Sequence, residues 1–315
     1  MFIVTGGAGF IGSNIVAGLN RRGIDDVVVV DDLSDGRKFV NLRDTAISDY
    51  WDKDEFLGHL QSGRIAKPDA IFHQGACAVT TEWDGRYMMM NNYRYSIEIL
   101  EYCLARTVPL IYASSASVYG LSTRSEESDA NLERPLNVYG YSKLLFDRYV
   151  RRRLGSASAQ IAGLRYFNVY GPGESHKGDM ASVAFHLHRQ VIDTGEARLF
   201  DSYDGYAAGE QRRDFVHVDD IVDINLWFLE HPAVAGIFNA GTGRSATFND
   251  VAAAILAWHG RGSIRYIPFP EELKSRYQSF TEADISALRA AGYDAPFLDV
   301  PSGVKAYLDA IGHPR

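Results

Sequence analysis

The sequence FIVTGGAGFIG, at residues 2–12, decides the fold. Residues 2–4 form a short apolar run typical of a buried strand, and a helical pattern follows from Ser13. Gly6, Gly9 and Gly12 allow a sharp turn, close approach of the backbone to a phosphate group, and tight packing of helix against strand. The unpaired amide groups at a helix N-terminus bind anions. The stretch therefore predicts a strand–turn–helix unit that holds a pyrophosphate.

A second apolar run, at residues 27–30, ends in Asp31, about 20 residues beyond the glycine turn. An acid at that point accepts hydrogen bonds from a ribose, so the unit predicts a bound dinucleotide and by itself favours NAD. Arg37, Lys38 and Lys53 follow, and cations there would neutralise the 2′-phosphate of NADP. Solvated surface charge explains the same three residues equally well. The spacing alone leaves NAD and NADP open.

Strand-like and helix-like segments alternate through the first half of the chain. Apolar runs lie at residues 70–72, 109–113 and 161–164, with helical spacing between them. Because a parallel crossover needs a connection of helix length, the alternation predicts an α/β fold, a Rossmann-type doubly wound parallel sheet.

After residue 168 the pattern loosens, which predicts a smaller mixed α/β substrate domain. We expect loops at residues 170–178 and 202–211 and helices at residues 247–259, 280–292 and 300–311. We assign residues 1–168 and 213–242 to the dinucleotide-binding domain, and residues 169–212 and 243–315 to the substrate domain.

The composition of the 315-residue chain is that of an ordinary globular protein, with 46% hydrophobic and 23% charged residues. Its net charge of -8 disfavours nucleic acid and anionic membranes as partners. Two cysteines, Cys77 and Cys103, favour a reducing compartment. No signal peptide and no apolar run of about 20 residues is present, so we expect a cytoplasmic protein. No set of ligands suggests a metal.

Tyr139 and Lys143 are four residues apart and therefore neighbours on one helix face. A tyrosine has a pKa near 10, too high for a base at neutral pH, and a nearby ammonium favours its phenolate. Ser115 follows the apolar run at 109–113, where its hydroxyl could hydrogen-bond the same substrate oxygen. These three residues predict an acid/base site.

The glycine turn, Ser115 and the Tyr139–Lys143 pair together resemble the extended short-chain dehydrogenase/reductase family, over essentially the whole chain. The resemblance implies that Tyr139 is the catalytic acid/base, that Lys143 holds the nicotinamide ribose and lowers the tyrosine pKa, and that Ser115 orients the substrate. It also implies that residues 166–172 and 213–220 lead to a sugar-nucleotide pocket, with Arg213 on the diphosphate. We expect Asp219 or Asp220 to cap the next helix.

Within that family, a 4,6-dehydratase is disfavoured. At this position the dehydratases carry a segment that resembles Thr-Asp-Glu, whereas this chain has Ser115-Ala116-Ser117. The acids that drive the loss of water in those enzymes are therefore missing. Several strings instead resemble the ADP-heptose 6-epimerases, namely residues 75–77, 80–85, 87–89, 91–93, 176–178, 180–187 and 276–278. Two departures are a longer segment at 202–211 and Gln74, where we expect an acid.

This resemblance implies epimerisation at C6 of ADP-D-glycero-beta-D-manno-heptose to ADP-L-glycero-beta-D-manno-heptose, a step of lipopolysaccharide core biosynthesis. C6 has no neighbouring carbonyl, so a 6-keto intermediate would form by reversible hydride transfer to tightly bound NADP. The ketone must turn over between the two steps and then needs another proton relay. The resemblance assigns that role to Lys177, although a loop lysine taken alone is usually solvated or phosphate-binding.

The remaining site residues are carried over by the resemblance. The expected cofactor shell is Gly6, Gly9, Phe10, Ile11, Gly12, Asp31, Asp32, Lys38, Lys53, Gln74, Gly75, Ala76, Cys77, Ala78, Asn91, Tyr139, Lys143, Val169 and Lys177. The expected substrate contacts are Ser115, Asn168, Asp179, His186, Phe200, Asp201, Ser202, Tyr203, Arg213 and Tyr277. A homo-oligomer, a pentamer in the family, is implied as well. The alternatives are a hexose-nucleotide 4-epimerase and a non-catalytic NADP-sensing protein.

Overall fold

The computed structural model describes residues 1–271, 274 and 277–312. Arg276, in one of the strings quoted above, lies outside them. The strands are β1 (Phe2–Thr5), β2 (Val27–Asp31), β3 (Asp49–Asp52), β4 (Ala70–His73), β5 (Leu110–Ser115), β6 (Ile161–Tyr166), β7 (Asn168–Tyr170), β8 (Glu196–Phe200), β9 (Arg212–Arg213), β10 (Phe215–His217), β11 (Gly236–Ala240), β12 (Ala246–Thr247) and β13 (Ser263–Ile267). The helices are α1 (Phe10–Arg21), α2 (Lys53–Ser62), α3 (Gly85–Met89), α4 (Tyr95–Arg106), α5 (Val138–Leu154), α6 (Val183–Thr194), α7 (Val218–Glu230), α8 (Phe248–His259), α9 (Ser286–Ala290) and α10 (Val300–Ile311).

Seven parallel strands form the central sheet, in the order β11-β6-β5-β4-β1-β2-β3. All residues of β2, β4 and β6 are buried, because helices cover both faces of the sheet. The order reverses between β1 and β4, and ligands of such sheets bind outside the carboxyl ends of the strands at that point. The predicted Rossmann-type fold is confirmed, as is the position of each predicted strand.

The two faces of the sheet bury separate hydrophobic clusters. One joins α1 and α7 through residues such as Leu19 and Ile221. The other joins α2, α4 and α5 through residues such as Phe56, Ile99 and Phe146. These clusters hold the glycine turn and helix α5 in fixed positions at the carboxyl edge of the sheet.

A third cluster lies in the predicted substrate domain, where α6, α8, α10 and strand β8 bury Leu187, Leu199, Ile255 and Tyr307. Strands β8 and β13 pair in parallel beside it. Leu288 of α9 packs instead against the cluster of α1 and α7. The domain boundaries given above stay a prediction.

Two helices begin or end differently from the sequence-based expectation. The first starts at Phe10, not Ser13, because Gly9 is already its N-cap. The helix expected at 280–292 is confined to Ser286–Ala290. The preceding residues are not helical, and the amides of Thr281 and Ala283 donate instead to the Arg212 carbonyl and the Asp214 carboxylate. The helices expected at 247–259 and 300–311 are confirmed, and Thr247 caps the first of them.

The expected acidic cap of α7 is wrong. His217 is the N-cap, and its Nδ1 accepts a hydrogen bond from the amide of Asp219 at 3.2 Å. Asp219 and Asp220 lie in the first turn of the helix, and the Asp220 carboxylate accepts from the amide of Leu298.

Within residues 1–271, 274 and 277–312, no helix combines the length and the apolar character needed to cross a bilayer. The same residues contain no group of three or more histidines, cysteines and acids placed to share a metal ion.

Candidate active site

The glycine turn is packed so closely that side chains could not replace its glycines. Gly6 has a positive φ of 65°, and a Cβ there would lie 2.7 Å from the Cα of Gly75. A Cβ on Gly12 would lie 2.1 Å from the carbonyl oxygen of Gly6. No side chain caps α1 at Gly9. The amides at the start of α1 therefore remain available to a pyrophosphate, and the turn fits a dinucleotide.

Asp31 closes strand β2 beside this turn. One carboxylate oxygen accepts from the amide of Ala8 at 2.8 Å, and the other contacts the Lys38 ammonium at 2.5 Å. Hydrogen bonds from Ser34 lower the pKa of Asp32, and the nearby Lys53 and Lys38 lower it further. Lys38 and Lys53, two of the predicted cations, therefore lie beside Asp31 and Asp32, where the ribose is expected.

Arg37 does not join those two cations. Its guanidinium is 84% exposed and is bound to Asp35, the N-cap of the 3₁₀ helix Gly36–Asn41 that carries Arg37.

The segment that follows β4 is held by a π-helical turn. Residues Met90–Arg94 form this turn between α3 and α4, a feature frequent at functional sites. The side chain of Asn92 exchanges two hydrogen bonds with the backbone of Cys77, at 2.8 and 2.9 Å. Asn91 donates to the carbonyl of Tyr87. Asn92, which the sequence reasoning missed, thus fixes residues predicted to line the cofactor.

Gln74 occupies the position where an acid was expected. Its amide oxygen accepts from the Tyr166 hydroxyl at 3.0 Å, and its amide nitrogen donates to Asn225 at 3.4 Å. The glutamine is therefore part of a neutral hydrogen-bond network beneath the site.

Tyr139 lies in the first turn of α5, which Asn137 caps through the amide of Gly140. Ser115 ends strand β5 and lies close enough to Tyr139 to act on its pKa. Burial raises the pKa of the Tyr139 phenol, and the nearby Ser115 hydroxyl opposes that rise. The predicted tyrosine–serine pair is thus brought together.

Lys143 follows one turn along α5 and is 5% exposed. Its ammonium donates to the carbonyl oxygen of Ala113 at 2.9 Å. Burial lowers the pKa of Lys143 to about 8, and the Asp147 carboxylate opposes the shift. The lysine therefore sits between the tyrosine and an acid on the same helix face.

Lys177 comes from the other side of the site, on the 3₁₀ helix Ser175–Met180. Its ammonium lies 5.1 Å from the ring centroid of Phe10, the first residue of α1. Burial lowers the pKa of Lys177, while Glu174 acts in the opposite direction. A second lysine is therefore placed beside the dinucleotide turn.

The loop that carries Lys177 is bound to α1 and to the 3₁₀ helix Gly36–Asn41. Asn14 donates to the carbonyl of Pro172 at 2.8 Å, and Asn41 donates to that of Gly173 at 3.0 Å.

Four of the predicted substrate contacts converge on an aromatic cluster. The Arg213 guanidinium lies 4.9 Å from the ring of Tyr277, and that ring meets Phe200 edge to face. Phe269 stacks on Tyr203 at 4.1 Å and also touches Tyr277. Phe269 was missed from the sequence because a phenylalanine after a short strand carries no distinguishing spacing.

The other expected contacts are more dispersed. Asp179, Asp201 and Ser202 are exposed, and His186 is half-buried beside Phe185 on α6. The side-chain oxygen of Asn168 accepts from the Thr281 hydroxyl at 3.2 Å. The remaining expected cofactor positions are the half-buried Ile11, Ala76 and Val169 and the exposed Ala78.

Comparisons with known proteins agree with this geometry. The model of the NAD dependent epimerase/dehydratase family matches residues 2–241. The chain is 59% identical to an ADP-L-glycero-D-manno-heptose-6-epimerase of Alkalilimnicola ehrlichii, over 99% of this chain and 97% of that one. The crystal structure of the Helicobacter pylori ADP-L-glycero-D-manno-heptose-6-epimerase superposes with a TM-score of 0.85 at 31% identity, covering 98% of this chain and 95% of that one.

A Thermus thermophilus UDP-glucose 4-epimerase in complex with NAD has a TM-score of 0.79 at 28% identity, over 98% and 97% of the two chains. Since the matched region holds both the glycine turn and the Tyr139–Lys143 pair, the chain belongs to the NAD-dependent epimerase/dehydratase family.

Proposed function

We propose that this protein is an ADP-heptose 6-epimerase, which converts ADP-D-glycero-beta-D-manno-heptose to ADP-L-glycero-beta-D-manno-heptose. The observation that carries the proposal is the position of Lys177, whose ammonium lies 5.1 Å from the Phe10 ring at the dinucleotide turn. A second proton-transfer group there suits inversion of a centre that must be approached from both faces. The relatives named as 6-epimerases support the choice of substrate.

A nicotinamide dinucleotide fits the residues present. The uncapped start of α1 would hold its pyrophosphate, and Asp31 with Lys38 would meet its adenosine ribose. When bound, the nicotinamide supplies a reversible oxidation at C6 of the sugar, which has no carbonyl beside it to make its hydrogen acidic. Lys143 would hold the nicotinamide ribose.

The proton transfers fall to the protein. Tyr139 would remove the proton from the C6 hydroxyl, and the neighbouring Ser115 hydroxyl would hydrogen-bond and orient the same oxygen. After the ketone has turned over, its oxygen faces another part of the pocket. Lys177 would donate its own proton there, after which Tyr139 would release its proton to solvent and Lys177 would take one up. The burial that lowers the pKa of Lys177 brings it nearer to the pH at which an acid/base group works best.

The cofactor in this proposal is NADP. Lys38 already neutralises Asp31, the acid that would repel a 2′-phosphate, and Lys53 lowers the pKa of the neighbouring Asp32. Identification of the nucleotide released on denaturation tests this assignment. Recovery of NAD alone would overturn it.

The proposed activity is tested by incubating the purified protein with ADP-D-glycero-D-manno-heptose and following the C6 configuration by NMR. We expect inversion at C6 with no net change in the bound dinucleotide. UDP-glucose, the substrate of a 4-epimerase, is assayed in parallel. Turnover of UDP-glucose without inversion of the heptose would sink the proposal and favour the hexose-nucleotide alternative.

A homopentamer and a cytoplasmic location belong to the same proposal. Sedimentation velocity of the purified protein measures the number of subunits, and we expect five.

A further inference from the structure

A buried ion-pair network lies beneath helix α5, outside the groups used in the proposed reaction. Arg165 and Asp147 are both fully buried, and Arg165 Nε donates to Asp147 Oδ2 at 2.9 Å. The same guanidinium contacts Glu133 at 2.5 Å, and Arg151 binds that glutamate as well. Burying charges is costly and is weak evidence for stability. Stability alone is therefore a poor explanation for a buried ion-pair network at this place beneath α5.

Asp147 is bound to the strand that carries Ser115. Its two carboxylate oxygens accept from the hydroxyls of Tyr112 and Ser114, both at 2.9 Å. The residue between these two on β5 is Ala113, and its carbonyl accepts from the Lys143 ammonium. Three consecutive residues of one strand thus hold both the lysine and the acid.

Lys143 and Asp147 also share one face of α5, because four residues separate them. Tyr139 lies one turn earlier on the same face. The helix therefore presents a base, a cation and an anion in succession to strand β5.

We propose that Asp147 is the counter-charge of the Lys143 ammonium and acts on the reaction through that lysine, as a positioning residue. The inference rests on the proposed function, because it takes Lys143 to be the group that holds the nicotinamide ribose.

The groups that face Lys143 support this assignment. On its own helix they are Tyr139 and Asp147. The strand β4 contributes His73, which is neutral because burial lowers its pKa to about 3. The segment after β4 contributes the Cys77 thiol, and β5 contributes the Ala113 carbonyl. Among these groups facing Lys143, Asp147 is the one that carries a carboxylate.

The sign of the effect follows from the charges. Burial lowers the pKa of Lys143 to about 8, and Asp147 acts against that shift. The ammonium form is the active one, so activity is lost as the pH rises through the lysine pKa. Removing the Asp147 charge lowers that pKa further. The alkaline limb of the pH profile then moves to lower pH, by about one unit or more.

The test compares Asp147→Asn with Glu133→Gln in the holoenzyme. Each substitution removes one carboxylate charge from Arg165, but only the first removes the charge one turn from Lys143. The protein is labelled with ¹³Cε-lysine, and the Lys143 signal is assigned from the spectrum of Lys143→Arg. We expect the Lys143 titration and the alkaline limb of kcat to shift in Asp147→Asn and to stay in place in Glu133→Gln. Equal shifts in both variants, or none in Asp147→Asn, would overturn the inference.

The single substitution leaves the buried Arg165 with one fewer partner, so Asp147→Asn/Arg165→Met replaces this variant where it does not fold. Replacing a buried ion pair as a unit is often neutral for stability, and Glu133 keeps Arg151. The titration needs no turnover. A shifted lysine in a protein that does not epimerise ADP-heptose would reject the proposed function and keep only the pairing of Asp147 with Lys143. Active protein with an unshifted lysine would keep the proposed function and reject that pairing.

Discussion

The ammonium of Lys177 lies 5.1 Å from the centre of the Phe10 ring, and Phe10 is the residue at which helix α1 begins. A cation over an aromatic face is held more strongly where water is excluded, and this lysine is half-buried. The contact joins the loop after β7 to the dinucleotide turn. The lysine proposed as the second proton donor is therefore held beside the dinucleotide turn, on an element different from the one that carries Tyr139.

We expect Lys177→Met to lower kcat by about 10²–10⁴-fold, the usual contribution of one acid/base group. The bound dinucleotide should be retained, since the glycine turn is untouched. Steady-state kinetics with ADP-D-glycero-D-manno-heptose measure the loss. The same substitution at the exposed Lys67 is the control and should leave kcat unchanged. Near wild-type epimerisation by Lys177→Met would contradict the second proton relay.

Tyr139→Phe should also cost about 10²–10⁴-fold in kcat, because the phenol would remove the substrate proton. Tyr141→Phe is the control, because it removes a hydroxyl from a side chain of the same helix that is 45% exposed. We expect it to have no comparable effect on kcat. Similar losses in the two variants would point to a structural role for the hydroxyl, and the assignment of Tyr139 would fail.

Gly12→Ala should give protein that has lost its dinucleotide, because the new Cβ would lie 2.1 Å from the carbonyl oxygen of Gly6. Absorbance of the released nucleotide and the Tm measure the effect. Gly58→Ala, within α2, is the control, since nothing lies within 4 Å of a Cβ there. That variant should gain roughly 0.4–1 kcal/mol in the free energy of unfolding. Full occupancy in Gly12→Ala would show that the close approach is not required.

Asp220→Asn should stabilise the protein at alkaline pH. Burial raises the pKa of Asp220 to about 6, so the folded chain holds this proton more tightly than the unfolded chain. The free energy of unfolding therefore falls as the pH rises towards 6. Above that value the Asp220 carboxylate is ionised, and its burial lowers the free energy of unfolding by the full amount. The asparagine removes that cost and should raise the free energy of unfolding by about 1–3 kcal/mol at pH 8.

Denaturant unfolding of Asp220→Asn at pH 8 and at pH 5 checks the sign, since the difference from wild type should shrink at the lower pH. The exposed Asp193→Asn serves as the control for the change in net charge. A gain that is the same at both pH values would exclude titration of Asp220 as its cause.

The parts of the site predicted from the sequence are those set by local spacing. The glycine turn with Asp31 follows from a strand–turn–helix unit, and the Tyr139–Lys143 pair follows from the helical repeat. Contacts between distant segments were not predictable in the same way. The Asn92–Cys77 bonds depend on a π-helical turn, and the non-helical backbone at 281–283 is bound to the Asp214 carboxylate, which accepts the Ala283 amide at 3.0 Å. Helix α7 begins at Val218, before the acidic pair, so His217 caps it and Asp219 and Asp220 lie in its first turn.

The bonds from Asn14 and Asn41 to the carbonyls of Pro172 and Gly173 have a bearing on turnover. Asn14 belongs to α1, the helix whose first amides would grip the phosphates, and the peptide it holds lies five residues before Lys177. A movement of α1 that shifted Asn14 would therefore also pull on the loop that carries Lys177. In the proposed reaction, the binding of the phosphates and the placement of one proton donor would thus depend on the same helix.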